Sequence, residues 1–432
     1  MARFNIQDVV SLHGIIPYSK RGSEYYFICP VCGEKGACSY NPDKNTWHDW
    51  KCDAGGGPIE LHIAMERDPE KLSGYEGNDG KKAAARDIFS ALDNGSSFTC
   101  ISLIPKEKKK PKEAKKASDE HCSRVYKALL KELKLENKHY DKLIKRGLSH
   151  EQIKRFCFKS VPRDTKGISK ILCNKGYVLE GVPGFFLNKG VWDFKIPYNR
   201  RLKEKETGTL CPVYDGGRNL LLGFQVNVDK PRDWDSLSEE DKKEYVKYVW
   251  ISSKDKEKGV TSGSVATYLP GKGKNRAVIV TEGILKATVI YCLLKETVTV
   301  IGIPGVKLYK AALPYLERLD KDAYIFAAYD MDRDFVKEKL YLKDRSEALL
   351  DHDEKRYLEK LKNLKKADLE MCEMFTDQGF SVHELRWDID SDGIWQGNYK
   401  GLDDFLNEYE DTDRFLNYIL KRSHEKEYRK LA

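Results

Sequence analysis

The sequence has no uncharged apolar stretch near the ~18 residues that a membrane-spanning helix needs, and its best candidate, Ala287–Leu294, is far too short. Its first residues, Met-Ala-Arg-Phe-Asn, lack the long apolar core of a secretory signal. The two absences give the expectation of a cytoplasmic chain with no membrane partner. A disulfide framework is missing as well. The cysteines number 11, an odd count, and Cys100, Cys122, Cys157, Cys173, Cys211, Cys292 and Cys372 form no close pairs, as in a reducing compartment. No repeat of about 20–50 residues is visible, which sets aside solenoids and propellers. No Gly-x-x-x-x-Gly-Lys-Ser/Thr occurs, and Gly271-Lys-Gly273-Lys does not fit it, so the sequence encodes no motor of that type.

What is present is a chain of 432 residues, 33% charged and 40% hydrophobic, the balance of a globular protein with two or three domains. Lysine and arginine exceed aspartate and glutamate by 76 to 68, giving +8. That modest surplus suits a polyanionic partner without requiring one. Residues 1–100 are rich in glycine and cysteine, with strand-like Glu24–Ile28 and helix-like Ile59–Met65. Residues 101–118 contain Pro105–Lys116, with seven lysines, two glutamates and nothing larger than alanine to bury; a passive linker and a phosphate-touching tether both fit. Over 119–270, a helical pattern to about Phe158 gives way to strand-like pieces such as Val191–Ile196, Leu220–Val228 and Tyr245–Ile251. From 271 to 432, strand-like Ala277–Thr281, Val298–Gly302, Ala323–Tyr329 and Ser381–Trp387 alternate with helix-like Leu285–Leu294, Tyr309–Leu319 and Val336–Phe375. That alternation predicts a parallel sheet covered by helices.

Two constellations carry chemistry. Cys29-Pro-Val-Cys32-Gly is a metal knuckle in which the glycine permits the tight turn, and Trp47-His48-Asp49-Trp50-Lys51-Cys52 supplies the second half. A full second knuckle would place a cysteine at 49, where Asp49 stands. Cys29, Cys32, His48 and Cys52 are the expected Zn2+ ligands, with Asp49 and Cys38 as the other choices for the remaining position. The second constellation is acidic. Val278-Ile-Val-Thr-Glu282-Gly283 and Ala323–Tyr329 followed by Asp330-Met331-Asp332 are buried-type strands that end in carboxylates, where sites form in parallel sheets. Asp403-Asp404 follow the next strand. Such acids repel unless cations neutralise them, and Mg2+ or Mn2+ is the expected occupant, held by Glu282, Asp330, Asp332 and Asp404. Lys286, one turn beyond Glu282, can contact phosphate or pair with the acids.

The Glu282-Gly283 and Asp330-x-Asp332 pair resembles the Toprim domain of DnaG-type primases, topoisomerases and related nucleases. Leu221–Gln225 and Lys247–Ser253 resemble the strands that precede it in bacterial primases. Cys29–Gly57 resembles the primase zinc-binding domain, and Lys145-Arg146-Gly147-Leu148-Ser149 is similar to primase-like proteins of mobile elements. Departures are Asp49 in place of a third cysteine, and Asp330-Met331-Asp332-Arg333-Asp334 without the family's small residues. The implied fold is α+β and multidomain: an N-terminal zinc ribbon, a mixed α/β primase core and a C-terminal Toprim domain, a Rossmann-like α/β parallel sheet. The implied activity is metal-dependent primer synthesis, with Glu282, Asp330 and Asp332 catalytic, Zn2+ structural, and Lys247 and Lys286 on nucleic acid or nucleotide. Implied partners are single-stranded DNA, nucleoside triphosphates and a replicative helicase on a separate chain, in a chromosome or a mobile element. A Toprim nuclease or topoisomerase-like enzyme and a non-catalytic single-strand-binding factor are the rival readings.

Overall fold

A computed structural model of the chain describes residues 4–98, 112–199, 204–231, 233–238, 242, 245–273 and 276–429. It divides into two compact units, Met1–Lys110 and Pro111–Ala432. Residues 101–111 of the lysine-rich segment lie outside the described residues. Residues 112–117 do not behave as a linker: Lys112, Ala114 and Ala117 make backbone hydrogen bonds to Lys258, Gly259 and Gly181. Paired main chain is held in place whatever its side chains lack in apolar surface. Among the described residues no helix is long and apolar enough to cross a membrane.

The first unit is an antiparallel five-stranded sheet in sequence order: β1 (Ser19–Arg21), β2 (Glu24–Phe27), β3 (Cys38–Asn41), β4 (Thr46–Asp49) and β5 (Ala54–Gly56). Side chains alternate between faces along a strand. The pairings Phe27–Cys38–Asp49 and Tyr40–Trp47 therefore set one face, and Tyr26–Ser39–His48 the other. The first face is covered by helices Ile6–Leu12, Pro58–Met65 and Gly77–Asp93, through Ile6, Val9, Leu61 and Ile88. Between them, buried His13 and His62 join Nε2 to Nδ1 at 2.8 Å, and His62 reaches the Tyr75 hydroxyl at 3.3 Å.

The second unit is built on a nine-stranded mixed sheet. In chain order its strands are β6 (Lys159–Ser160), β7 (Gly208–Asp215), β8 (Leu220–Val228), β9 (Tyr248–Trp250), β10 (Thr267–Leu269), β11 (Ala277–Glu282), β12 (Thr299–Ile303), β13 (Tyr324–Ala328) and β14 (Ser381–Glu384). Across the sheet they run β9-β8-β7-β10-β12-β11-β13-β14, with β6 beside β7. The parallel part is β12, β11, β13 and β14, while β10 runs antiparallel to β12 and the β6–β9 part is antiparallel. One sheet thus crosses residue 270, where the sequence pattern changes.

Helix α1 (Ile284–Leu293) covers one face of β12, and α2 (His352–Asp377) the other face near β13, through Ala367, Met371 and Phe375. The expected long helix from Val336 is shorter. Residues 337–343 and 347–349 form 3-10 turns, and α2 starts only where Asp351 and Glu354 make a capping box. Helix α3 (Leu402–Glu408) packs on α1. Expected helix Tyr309–Leu319 is likewise replaced by 3-10 geometry over Val306–Ala312 and one turn, Leu313–Leu316, that carries a proline near its start.

Two predictions follow from this packing. A β-carbon on Gly302 would stand 2.5 Å from the Ala287 methyl and 2.9 Å from Thr267 Cγ2. Gly302→Ala should therefore destabilise the second unit by about 1–3 kcal/mol in denaturant unfolding, by forcing α1 off β12. In the first unit, burial and the neighbouring His62 push the His13 imidazole down to about 4. The unfolded chain binds that proton near the ordinary value of 6.5. Stability is therefore present above about 6.5 and falls as the pH drops towards 4. Thermal unfolding should show this acid-side loss, and His13→Gln should make it shallower.

Candidate metal centre and carboxylate site

In the first unit, Cys29, Cys32, Asp49 and Cys52 bring their ligand atoms within 4.8 Å of one another. Among the described residues no other group of three or more His, Cys, Asp or Glu does so. Cys29 and Cys52 sulfurs are 3.7 Å apart, and Cys32 Sγ is 3.7 Å from Asp49 Oδ2. A zinc tetrahedron with bonds of ~2.3 Å has edges of about 3.8 Å, so the spacing and the soft donors fit Zn2+. The Cys29 knuckle closes through Gly33, whose amide donates to the Cys29 carbonyl at a φ of +69° that favours glycine.

His48, the expected fourth ligand, is replaced by Asp49. Successive residues of β4 point to opposite faces, so Asp49 faces the cysteines and His48 faces away, beside Trp50 and 3.4 Å from Asp53. Asp49 Oδ1 accepts hydrogen bonds from the Lys51 and Cys52 amides, leaving Oδ2 towards Cys32. Cys38 is buried and outside the quartet; burial pushes its thiol far up.

In the second unit the parallel register sets Thr281 opposite Ala328, so β11 and β13 release Glu282 and Asp330 at the same edge. Gly283 follows Glu282 with φ +94°, and its amide donates to the Ile303 carbonyl before α1 begins. A residue with a β-carbon is strained in that conformation. From the first turn of α1, Lys286 donates to both oxygens of Asp330, 2.6 Å to Oδ2. The pair is almost out of solvent, at 15% and 6% exposure. Lys400 stands 2.9 Å from Asp332 and 3.4 Å from Asp330, and Lys360 of α2 donates to Asp332 at 2.8 Å. Arg146 pairs with buried Asp403 at 2.8 Å.

The Asp-x-Asp turn is rebuilt around its bulky residues. Met331 and Arg333 are buried, and the Met331 amide donates to the Lys400 carbonyl. The Arg333 guanidinium donates to Glu384 at 3.1 Å and to the Leu385 carbonyl at 2.7 Å, and lies 3.1 Å from Asp368. Interior packing thus takes the volume that small residues would have left open.

These charges are coupled. Burial, then the Asp330 charge, pushes the Glu282 carboxyl up. Burial also raises Asp332, but hydrogen bonds from Lys360 and Lys400 outweigh it and hold that carboxyl below its ordinary range. Asp403 is pushed up, by burial that Lys286 and Arg146 do not fully offset. Desolvation and the nearby Arg146, Lys286 and Lys400 lower the amine of Lys247, which places it at the same rim.

The structure thus brings Glu282, Asp330, Asp332, Lys286 and Lys247 to one neighbourhood. No three of the four expected metal acids, Glu282, Asp330, Asp332 and Asp404, converge within the 4.8 Å that the cysteine quartet meets. Asp404 is exposed on α3, and the buried member of its pair is Asp403. Hard oxygen donors suit Mg2+ or Mn2+. The cationic partners of Asp332, Lys360 and Lys400, are exposed, whereas Asp330 is held on both oxygens by largely buried Lys286. Arg146, Lys360 and Lys400 are residues of this edge that the sequence pattern does not single out, and of the Asp403-Asp404 pair the buried member is Asp403 rather than the expected Asp404. Arg146 and Asp403 lie inside motifs already noted; nothing local in the sequence marks Lys360.

Zinc analysis of the purified chain by mass spectrometry checks the first centre. Asp49→Ala should lose most of the bound zinc, while Asp49→Cys and His48→Ala should keep one equivalent.

No family model matches the chain. The DNA primase of Lactococcus lactis subsp. lactis (strain IL1403) is 27% identical over 176 residues, covering 40% of this chain and 25% of that protein. The chain thus spans a quarter of the length of that curated relative. The Aquifex aeolicus primase structure (zinc-binding and RNA polymerase domains) is 15% identical, with a TM-score of 0.41 over 95% of this chain and 85% of that one. A DNA primase domain from Pseudomonas aeruginosa is 14% identical, with a TM-score of 0.43 over 68% of this chain and 77% of that one. A DnaG primase catalytic domain bound to single-stranded DNA is 14% identical, with a TM-score of 0.41 over 70% of this chain and 78% of that one. Each of these proteins to which the mixed α/β chain is similar is named a primase.

Proposed function

We propose that the chain is a DNA primase that makes short primers on single-stranded DNA by metal-dependent nucleotidyl transfer, through a Toprim-like site at the ends of β11 and β13. The observation that carries this reading is the shared edge where Glu282, Asp330 and Asp332 meet Lys286 and Lys400. Acids to hold a hard cation and ammonium groups to hold phosphate are the two components that phosphoryl transfer needs.

In the reaction, the primer 3′-oxygen forms a bond to the α-phosphorus of a nucleoside triphosphate. The bond from that phosphorus to the β-phosphate breaks, and pyrophosphate leaves with its charge. Glu282 and Asp332 would hold Mg2+ or Mn2+, which would supply acidification of the attacking hydroxyl and offset charge on the leaving group. By the resemblance, Glu282 would also assist removal of the hydroxyl proton. Lys360 and Lys400 are more than half exposed and can leave Asp332 for the triphosphate. Gly283 and the buried Arg333 hold the acids at fixed positions.

For the template, a cleft of about 480 Å³ in the second unit is lined by Phe186, Tyr198 and Trp250 together with Lys195, Lys205 and Lys256. Aromatic faces for bases and lysines for phosphates are the usual components of a single-strand groove. The zinc-type ribbon would select or hold the template, and unwinding would come from a helicase on a separate chain.

The test is an incubation with single-stranded DNA, labelled nucleotides and Mg2+ or Mn2+. New short oligonucleotides should form, and Glu282→Gln or Asp332→Asn should reduce them at least about a hundredfold. Shortening of the template would instead mean a nuclease. Retarded mobility without synthesis would mean a binding factor.

A further inference from the structure

We infer that Lys286 is a built-in cation that takes the place of a second divalent ion, so that the carboxylate site exchanges only one. The inference rests on the metal-dependent reading above and concerns how many ions that site takes. Five acids cluster at this edge: Glu282, Asp330, Asp332, Asp403 and Asp404. Their cationic partners fall into two kinds.

Lys360 and Lys400 are surface groups, 59% and 54% exposed, on long free stems. An incoming ion or phosphate displaces such groups at little cost, because water replaces what they lose. Lys286 differs. It is 15% exposed, fixed in the first turn of a buried helix, and bonded to both oxygens of a carboxylate that is 6% exposed. Its ammonium also acts on Asp403 and Glu282, so it lies among three acids from separate elements. Separating a pair this deep would leave two uncompensated charges in the interior.

A second observation marks the place as one for a cation. Asp403 is 1% exposed, and its Oδ1 has no hydrogen-bond partner. Oδ2 accepts from Arg146, and of the cations around the carboxylate Lys286 acts on it most. A divalent ion at Asp330 and Asp403 would need those oxygens and would face the ammonium directly. Glu282 and Asp332 carry no such fixed partner, and there the ion has only Lys360 and Lys400 to displace.

The experiment is a Mn2+ titration of the full zinc-loaded chain, with free Mn2+ read by electron paramagnetic resonance and zinc content checked to stay at one equivalent. Wild type should bind one tight Mn2+. Lys286→Met, which removes the charge and keeps the length, should bind two, and Lys286→Arg should return to one. Thermal unfolding of each variant ensures that folded protein is compared. Two tight ions in wild type, with primer synthesis intact, would overturn this inference and leave the primase reading standing. A count of one in folded Lys286→Met would also overturn it. No Mn2+ uptake by any of the three proteins would remove both the inference and the metal-dependent reading.

Discussion

The buried contact between Lys286 and Asp330 is the constraint on which the rest of the second unit depends. An ammonium and a carboxylate so far from water are tolerated only as a pair, because either one alone would meet several kcal/mol of uncompensated desolvation. The pair therefore fixes the first turn of α1 against the loop after β13. Gly283 supplies the backbone conformation that lets the chain turn from β11 into that helix. Gly302 supplies the clearance that lets the helix lie on β12. The site is thus an outcome of helix-on-sheet packing.

Parallel pairing does the remaining placement. With Thr281 beside Ala328, both strands reach the sheet edge together, and the residues that follow leave the core at one level. The same logic places Glu384, at the end of β14, within reach of Arg333. The first unit uses alternation instead. Asp49 faces inward from the end of β4 and meets three cysteines carried by the adjoining turns, Cys29 and Cys32 after β2 and Cys52 before β5, and the aspartate uses one oxygen to close its own turn while the other faces the sulfurs.

Much of this was readable in advance where local pattern and tertiary outcome agree. The apolar runs Ala277–Thr281 and Ala323–Tyr329 could only be buried strands, and acids at their ends had to emerge at the rim. The spacing from Cys29 and Cys32 to Cys52 marked the ribbon. What was not readable depended on facing or distance. His48 has the better ligand chemistry, but alternation along the strand puts Asp49 on the cysteine side. Lys360 reaches Asp332 from a helix that begins twenty residues later, a contact that no spacing rule contains. The helix expected from Val336 failed because its charged residues suit a helix surface wherever it starts, and only the Asp351 cap decides the start. Arg146 reaches Asp403 across 257 residues of sequence.

The Arg333 guanidinium has a consequence of a different kind. It is itself buried and meets Asp368 from α2, Glu384 from β14 and the carbonyls of Asp330 and Leu385. A lysine cannot reproduce a planar fork that meets so many oxygens at once. Loss of either Arg333 or Asp368 would strand the other in the interior, so in homologous chains these two positions should drift as a set or stay still together. The carboxylate edge is thereby coupled, through a single planar cation, to the surface of α2.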